Sequence, residues 1–199
     1  MLEPGPIPAD GPICSGSALV HPLDQFYAQA GKPLPPLAVI EGEAVPEPYR
    51  RLLVHQADMT PTLEKFHGIL LHLRVIGSRR QDGEYFREVT LLRDDNNQPV
   101  EFGAIKISLD LFPPAAQSEI LREQQPLGHI LESCRIQHTS RPSAFFRIAS
   151  DRLINELLQL SGAQVLYGRR NTLFDPQQRS LAEIVEILPV AAGREGGPR

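Results

Sequence analysis

Two charged residues of this sequence interrupt strand-like patterns of apolar residues. Strict alternation along residues 85–91 (YFREVTL) places Arg87 on the same face as Val89. Along residues 181–190 (LAEIVEILPV) the same alternation places Glu186 between apolar neighbours. A charge at a core-facing position is costly unless it is paired or contacts a ligand. The pattern therefore predicts a buried Arg–Glu pair, a register that turns one of the two residues to water, or a binding site for an anion.

A third candidate is a pair of adjacent arginines in residues 165–171 (VLYGRRN). Because successive side chains on a strand face opposite ways, alternation groups Arg169 with Tyr167 and turns Arg170 to the other face. The chain has 17 arginines against 3 lysines, and a guanidinium binds a carboxylate through two parallel hydrogen bonds. One arginine of this pair is a candidate for a carboxylate, and an ordinary solvated arginine is the alternative.

The sequence lacks the motifs of several large enzyme classes. It contains no serine-hydrolase elbow, phosphate-binding loop, zinc-ligand spacing or dinucleotide fingerprint. Its six histidines are scattered, and no two have the i, i+4 spacing of a helical metal site. We therefore expect neither a metal nor a cofactor.

Composition limits the class of protein. A hydrophobic content of 41% and a charged content of 22% in 199 residues are typical of one soluble globular domain. The net charge of −4 argues against a nucleic-acid partner or an anionic membrane. No apolar run approaches the length of about 18 residues that indicates a membrane span, and the two cysteines lack metal or redox spacing. These features predict a soluble, cytoplasmic protein with neither a nucleic-acid nor a membrane partner; the small-molecule partner that we expect follows from the resemblance described below.

Proline and glycine divide the chain into one domain and two tails. Residues 1–18 are mostly Pro, Gly, Ala and Ser, a composition that predicts a flexible leader. Residues 191–199 (AAGREGGPR) predict a disordered tail on the same ground. The remaining residues, 19–190, are expected to form a single domain.

Within that domain, helical patterns precede and interrupt strand patterns. Helices are predicted at 22–30, 46–55, 61–67, 117–123, 127–132 and 151–160. Strands are predicted at 69–78, 85–93, 100–109, 135–149, 165–174 and 181–190. Thr60 is the expected cap of the third helix, and Pro142 indicates an edge or a bulge in the fourth strand. Strands joined by hairpin turns, such as Gln81–Gly83, predict an α+β fold in which helices flank a single antiparallel sheet.

In chain order, five short segments resemble the chorismate pyruvate-lyase superfamily. Asp58–Thr60 (DMT) is similar to that family's Ser-Met-Thr or Asp-Met-Thr, and Arg87–Val89 (REV) to its Arg-Glu-Ile. Pro126–Leu131 (PLGHIL) resembles its Pro-Leu-Gly-x-x-Leu. Leu166–Asn171 (LYGRRN) resembles its Leu-Trp-Gly-Arg-Arg-Ser, and Glu186–Pro189 (EILP) its Glu-x-Leu-Pro. The Tyr-Gly-Arg form is similar to the branch that includes the mycobacterial lyase.

The resemblance implies a sheet that encloses a pocket and a cofactor-free conversion of chorismate to 4-hydroxybenzoate and pyruvate. It implies that Arg87 binds a substrate carboxylate and that Glu186 is the acid/base residue. The substrate-binding residues that it implies are Met59, Thr60, Leu127, Gly128, Tyr167 and Arg169. The chemistry fits, because chorismate carries two carboxylates and its aromatisation needs one proton removed from the ring and one delivered to the departing side.

Other functions remain open on the same residues. The same fold serves as an effector-binding module in bacterial transcription regulators, where it follows a winged-helix domain, and nothing before residue 46 is long or basic enough to be one. A free-standing ligand binder, or a biosynthetic enzyme acting on a related cyclic carboxylate, is therefore the alternative. A structural protein that buries a partner against an exposed apolar patch is a third interpretation.

Overall fold

A computed structural model describes residues 19–189 of the chain. The predicted leader 1–18, the predicted tail 191–199 and Val190 lie outside the described residues. The α-helices of the described span are α1 (Leu23–Gln29), α2 (Tyr49–Leu53), α3 (Met59–His67), α4 (Pro114–Arg122), α5 (Leu127–Ser133) and α6 (Arg152–Leu158). Its strands are β1 (Leu37–Ile40), β2 (Leu71–Gln81), β3 (Glu84–Arg93), β4 (Pro99–Ser108), β5 (Thr139–Ala149), β6 (Val165–Phe174) and β7 (Ser180–Leu188). Short 3-10 helices occupy Gly42–Ala44 and Leu109–Leu111.

The strands form one sheet in the order β1-β5-β6-β7-β4-β3-β2. Every neighbouring pair is antiparallel, so the predicted α+β class with a single antiparallel sheet is confirmed. The predicted hairpin turn between β2 and β3 is also present. Asp82 and Gly83 adopt φ angles of 52° and 82°, the left-handed conformation that a two-residue hairpin turn requires and that glycine adopts without strain.

The start of α3 differs from the sequence prediction. Asp58, with extended backbone, precedes the first helical residue, whereas Thr60 lies buried in the first turn, so the prediction that Thr60 caps this helix is wrong. Pro61 is tolerated as the third helical residue because the first-turn N–H groups have no partner within a helix. Gly68 ends the helix at φ 68°, as predicted.

One strand, which follows a proline-rich segment, was not predicted from the sequence. The pattern analysis assigned no element to Leu37–Ile40, yet these four residues form β1 and pair with β5 at the sheet edge. The four-residue length is too short to show a clear alternation, and prolines precede it directly. In β5 the register shifts between Pro142 and Ala144, which confirms the predicted bulge.

The two faces of the sheet carry different layers. One face packs against α1 and α6, through residues such as Tyr27, Ala104, Ile154 and Val185. The opposite face packs against α2, α3, α4 and α5 in two adjoining apolar clusters. Residues 87, 101, 169 and 186 all lie on this second face, because alternation and register bring them to the same side of four adjacent strands. Among residues 19–189, no helix is both long enough and apolar enough to cross a membrane.

Candidate functional site

A cavity lies between the centre of the sheet and the first turns of α3 and α5. Its polar lining residues are Asp58, Thr60, Arg87, Glu101, Asn171 and Glu186. Its apolar lining residues are Met59, Leu73, Val89, Leu91, Ile105, Pro126, Leu127, Leu131, Leu173 and Ile184, and Gly128 completes it. The free volume is about 50 Å³, which holds a few water molecules and is less than the pocket of a drug-sized ligand.

Arg87 brings an unpartnered positive charge into this cavity. Its side chain is fully buried, and Nε, Nη1 and Nη2 all lack a hydrogen-bond partner within the described part of the chain. Burial lowers the pKa of the guanidinium to about 10, while Tyr85 and Glu123 act in the opposite direction. Since this value is still far above neutrality, Arg87 is charged at pH 7. The cavity therefore contains a cation whose hydrogen-bonding capacity is unused.

Arg169 is also fully buried, but all of its donor groups are occupied. Its Nε and Nη2 donate to the carboxylate of Glu186. Its Nη1 donates to the carbonyl oxygens of Leu53 at 3.2 Å and His55 at 3.1 Å, and its Nη2 donates to that of Ala57 at 3.3 Å. Glu186 is thus paired with Arg169 and not with Arg87, so the buried pair that the pattern offered for Arg87 and Glu186 does not form. Arg169 also anchors the loop that leads into α3.

The paired arginines of β6 separate as alternation predicted. Arg169 lies on the cavity face and Arg170 on the other, where its Nη2 donates to Glu183 at 2.9 Å. Lys106 contacts the second oxygen of Glu183. Tyr167 packs on the ring of Tyr49 with centroids 4.8 Å apart. Neither Tyr167 nor Arg169 lines the cavity, and their substrate-binding roles stay predictions.

Glu101, which pattern analysis missed, is a further carboxyl group of the cavity. It is 5% exposed, and its Oε2 has no hydrogen-bond partner among residues 19–189. Burial, with the charge of Glu186 in addition, raises the pKa of Glu101 well above its ordinary value, and Arg169 opposes this shift. The signal was present in the sequence, because alternation along Val100–Ile105 places Glu101 on an apolar face just as it does Glu186.

The covering helices are held close together above the cavity. A methyl group added at Gly128 of α5 would come within 3.0 Å of the Thr60 side chain of α3. His129 Nε2 lies 2.8 Å from Oε1 of Glu64, which joins the same two helices. Gly128 is therefore required by the close approach of α5 to α3, and the two helices form one cover.

Asp58 lies at the edge of the cavity and also in an outer groove. The groove is lined by Gln56–Asp58 and His138–Ser140 and has a volume of about 290 Å³. The carboxylate of Asp58 does not cap its own helix; its Oδ2 lies 2.9 Å from Nε2 of His138. This hydrogen bond raises the pKa of His138. The sequence pattern identified neither member of this pair as a site residue.

Six of the eight predicted site residues line the same cavity: Arg87, Glu186, Met59, Thr60, Leu127 and Gly128. Arg87 and Glu186 lie two strands apart and one two-residue step apart in register, which sets their Cα atoms roughly 12 Å from each other. A ligand between them would contact both side chains without their contacting one another. The described residues contain no cluster of three or more His, Cys, Asp or Glu side chains that could hold a metal ion.

Comparison with solved structures identifies the fold. The chain superposes on PhnF from Mycobacterium smegmatis with a TM-score of 0.55 and 12% identity, over 70% of this chain and 67% of that one. The separate effector domain of PhnF gives 0.52 and 11% identity, over 68% and 90% of the two chains. Gene product SA0254 from Staphylococcus aureus subsp. aureus N315 gives 0.50 and 9% identity, over 61% and 84%.

The fold is that of UbiC-transcription-regulator-associated (UTRA) effector domains. These are domains of GntR-family regulators, and chorismate lyase shares their fold. At such low identity the similarity establishes the UTRA fold and leaves the activity open. No known family profile matches the sequence, and no curated protein matches it.

Proposed function

We propose that this UTRA-fold chain binds a small carboxylate-bearing molecule in the cavity between the sheet and helices α3 and α5. The observation that carries the proposal is Arg87, which is fully buried and lines the cavity, and none of whose three nitrogens has a hydrogen-bond partner among residues 19–189. An uncompensated buried charge costs several kcal/mol. A ligand carboxylate would supply the missing counter-charge and accept two parallel hydrogen bonds.

The specific reaction we propose is the release of pyruvate from chorismate, which leaves 4-hydroxybenzoate. Support comes from the segments that resemble the lyase family, since their residues Arg87, Glu186, Met59 and Leu127 line one cavity. In this mechanism Arg87 binds the ring carboxylate. Glu186, held by Arg169, removes a ring proton as the enolpyruvyl ether bond breaks, and the gain in aromaticity drives the reaction forward.

The size of the cavity adds a requirement to this mechanism. The free volume of about 50 Å³ is small for a ring with two carboxylate-bearing arms, so we expect the cover formed by α3 and α5 to move away from the sheet when such a ligand enters. Once closed again, the cover would exclude water, which strengthens the interaction between Arg87 and the carboxylate.

A turnover assay tests the reaction. Purified protein is mixed with chorismate in the absence of added metal, and 4-hydroxybenzoate and pyruvate are quantified by chromatography. We expect the two products in equal amounts from the wild type and a large loss in Arg87→Ala and Glu186→Gln with folding intact. Products that survive in both variants would refute the assignment of these residues, and absence of products from the wild type would refute the lyase.

Non-catalytic effector binding is the second candidate, because the effector domain of PhnF has this fold. It predicts saturable binding of a carboxylate without turnover. Thermal-shift titration of the wild type with cyclic carboxylates, beside Arg87→Ala, distinguishes it. Stabilisation by an unreacted ligand that requires Arg87 would support effector binding, whereas turnover of chorismate would exclude a purely non-catalytic role.

A further inference from the structure

Glu101 is placed where a second carboxyl group meets the ligand. It lies on β4, whose register pairs Glu101 with Leu91 of β3 and Gly103 with Glu186 of β7. Its side chain lines the cavity and is buried, and Oε2 has no hydrogen-bond partner in the described part of the chain. A polar oxygen that is buried and unpartnered beside empty space is free to bond a ligand.

Gly103 makes room for this carboxyl group. A methyl group added at Gly103 would come within 3.1 Å of Oε1 of Glu101 and within 3.2 Å of the carbonyl oxygen of Val185. The Glu101 carboxyl group therefore lies over the glycine, beside the position from which Glu186 projects. The absence of a side chain at Gly103 leaves room for the Glu101 carboxyl group beside the strand that carries Glu186.

The two carboxyl groups are not equivalent. Glu186 is bound by the guanidinium of Arg169. Glu101 has no such partner, and burial together with the charge of Glu186 raises its pKa well above the ordinary value. The other charged groups around this cavity are Asp58, which precedes α3, and Arg87 from β3. The charge of Arg169 opposes the rise in the pKa of Glu101. Of the two carboxyl groups, Glu101 is the one that lacks a cationic hydrogen-bond partner and whose burial favours the protonated form.

We propose that Glu101 is a second catalytic residue, the general acid that protonates the ether oxygen of the departing enolpyruvyl group. The inference rests on the proposed lyase function and assigns the two proton transfers to two residues. Glu186 takes the proton from the ring carbon as the ring–oxygen bond breaks and the ring becomes aromatic. Glu101 gives its proton to the leaving oxygen, so that enolpyruvate forms and tautomerises to pyruvate.

Protons balance over the cycle. One leaves the ring and one joins the leaving group, so after the reaction Glu186 is protonated and Glu101 is ionised. Transfer of one proton from Glu186 to Glu101, both of which line the cavity, restores the starting state. No oxidant, reductant or further reactant is consumed.

Infrared difference spectroscopy tests the protonation state without any substrate. We expect the wild type minus Glu101→Gln spectrum at pH 7 to show the C=O band of a protonated carboxyl group. A carboxylate band in that difference spectrum, in place of the C=O band, would show that Glu101 is ionised and would overturn the assignment. The glutamine has nearly the same shape, so the variant is expected to fold.

Steady-state kinetics with chorismate test the catalytic role. We expect Glu101→Gln to lower kcat by about 100-fold or more with little change in KM, because the amide donates a hydrogen bond but no proton. The fall of wild-type kcat at alkaline pH, as Glu101 loses its proton, should be absent in the variant. The matched control is Glu88→Gln, the same change in a buried carboxyl group on the opposite face of β3, which should leave kcat unchanged.

The outcomes separate this inference from the function on which it rests. Wild-type turnover with an unchanged kcat in Glu101→Gln would overturn the role of Glu101 and leave the lyase intact. A fall of equal size in Glu88→Gln would indicate general damage to the sheet and would also overturn the role. Absence of turnover in the wild type would overturn the lyase itself.

Discussion

Arg87 and Arg169 are two fully buried arginines on the same face of one sheet, in opposite situations. Arg169 donates to a carboxylate and to three backbone carbonyls. Arg87 has no hydrogen-bond partner for any nitrogen among residues 19–189. Both require desolvation of a guanidinium, and only the surroundings of Arg169 compensate for it within the folded chain. From this difference we expect Arg169 to stabilise the fold, and Arg87 to lower its stability as long as no ligand supplies a counter-charge.

Replacement of Arg169 should produce the largest effect on stability. Arg169→Met leaves Glu186 buried without its partner and releases the loop before α3, so we expect the free energy of unfolding to fall by about 3–5 kcal/mol. Chemical denaturation monitored by circular dichroism measures it. The double variant Arg169→Met with Glu186→Gln should recover part of the loss. A single variant as stable as the wild type would contradict the structural role of Arg169.

Arg87→Met should stabilise the fold and weaken ligand binding. Removal of an unpartnered buried charge should raise the free energy of unfolding by about 1–3 kcal/mol. Affinity for 4-hydroxybenzoate should fall by about 100-fold, since a charge-assisted pair of hydrogen bonds is lost. Denaturation and isothermal titration calorimetry measure the two effects. A variant that is destabilised yet binds normally would show that Arg87, like Arg169, serves the fold.

A side chain added at Gly103 tests whether the packing of the cavity face requires glycine at this position. Gly103→Ala would crowd Oε1 of Glu101 and the carbonyl oxygen of Val185, so we expect a loss of about 1–3 kcal/mol. Gly77→Ala is the matched control on edge strand β2, where an added methyl group has no atom within 4 Å. That variant should be neutral or slightly stabilised, because alanine restricts the unfolded chain more than glycine does. Equal melting temperatures for the two variants would refute the crowding.

A smaller effect is expected from the His138–Asp58 pair at the edge of the cavity. The hydrogen bond to Asp58 raises the pKa of His138 in the folded state, so the charged pair stabilises the fold below the ordinary histidine pKa, about pH 6.5. This contribution, about 1 kcal/mol, should disappear as pH rises through the higher folded-state pKa. His138→Gln should remove that pH dependence from the free energy of unfolding. The same slope in the variant and the wild type would exclude His138 as its source.

Alternation predicted six of the seven strands and singled out two charged residues of the cavity face. Arg87 and Glu186 stood out because each interrupts a long run of apolar or β-branched residues, and both lie on the cavity face as the pattern requires. The partner of Glu186 could not be predicted in this way. Which strands are neighbours is decided by the order β6-β7-β4, and only that order brings Arg169 directly opposite Glu186.

Periodicity could not predict where a helix begins or which residues of separate loops come into contact. Thr60 was predicted as the cap because a proline follows it, whereas the helix begins at Met59, two residues before the predicted start at Pro61. Asp58 and His138 are 80 positions apart and meet only after the sheet forms. Glu101 is different, since its strand had been predicted and its burial follows from the same alternation that singled out Glu186.

Four charged residues of the cavity face lie on four different strands: Arg87, Glu101, Arg169 and Glu186. Arg87 and Glu186 are separated by 99 positions in the chain. No fragment of the chain assembles them, so a ligand that needs them has nothing to bind in a partly folded molecule. Binding must then stabilise the whole fold by mass action, by about 2.7 kcal/mol when the free ligand is at 100 times its Kd. The supply of ligand in the cell would thereby set how much of this protein escapes unfolding and proteolysis.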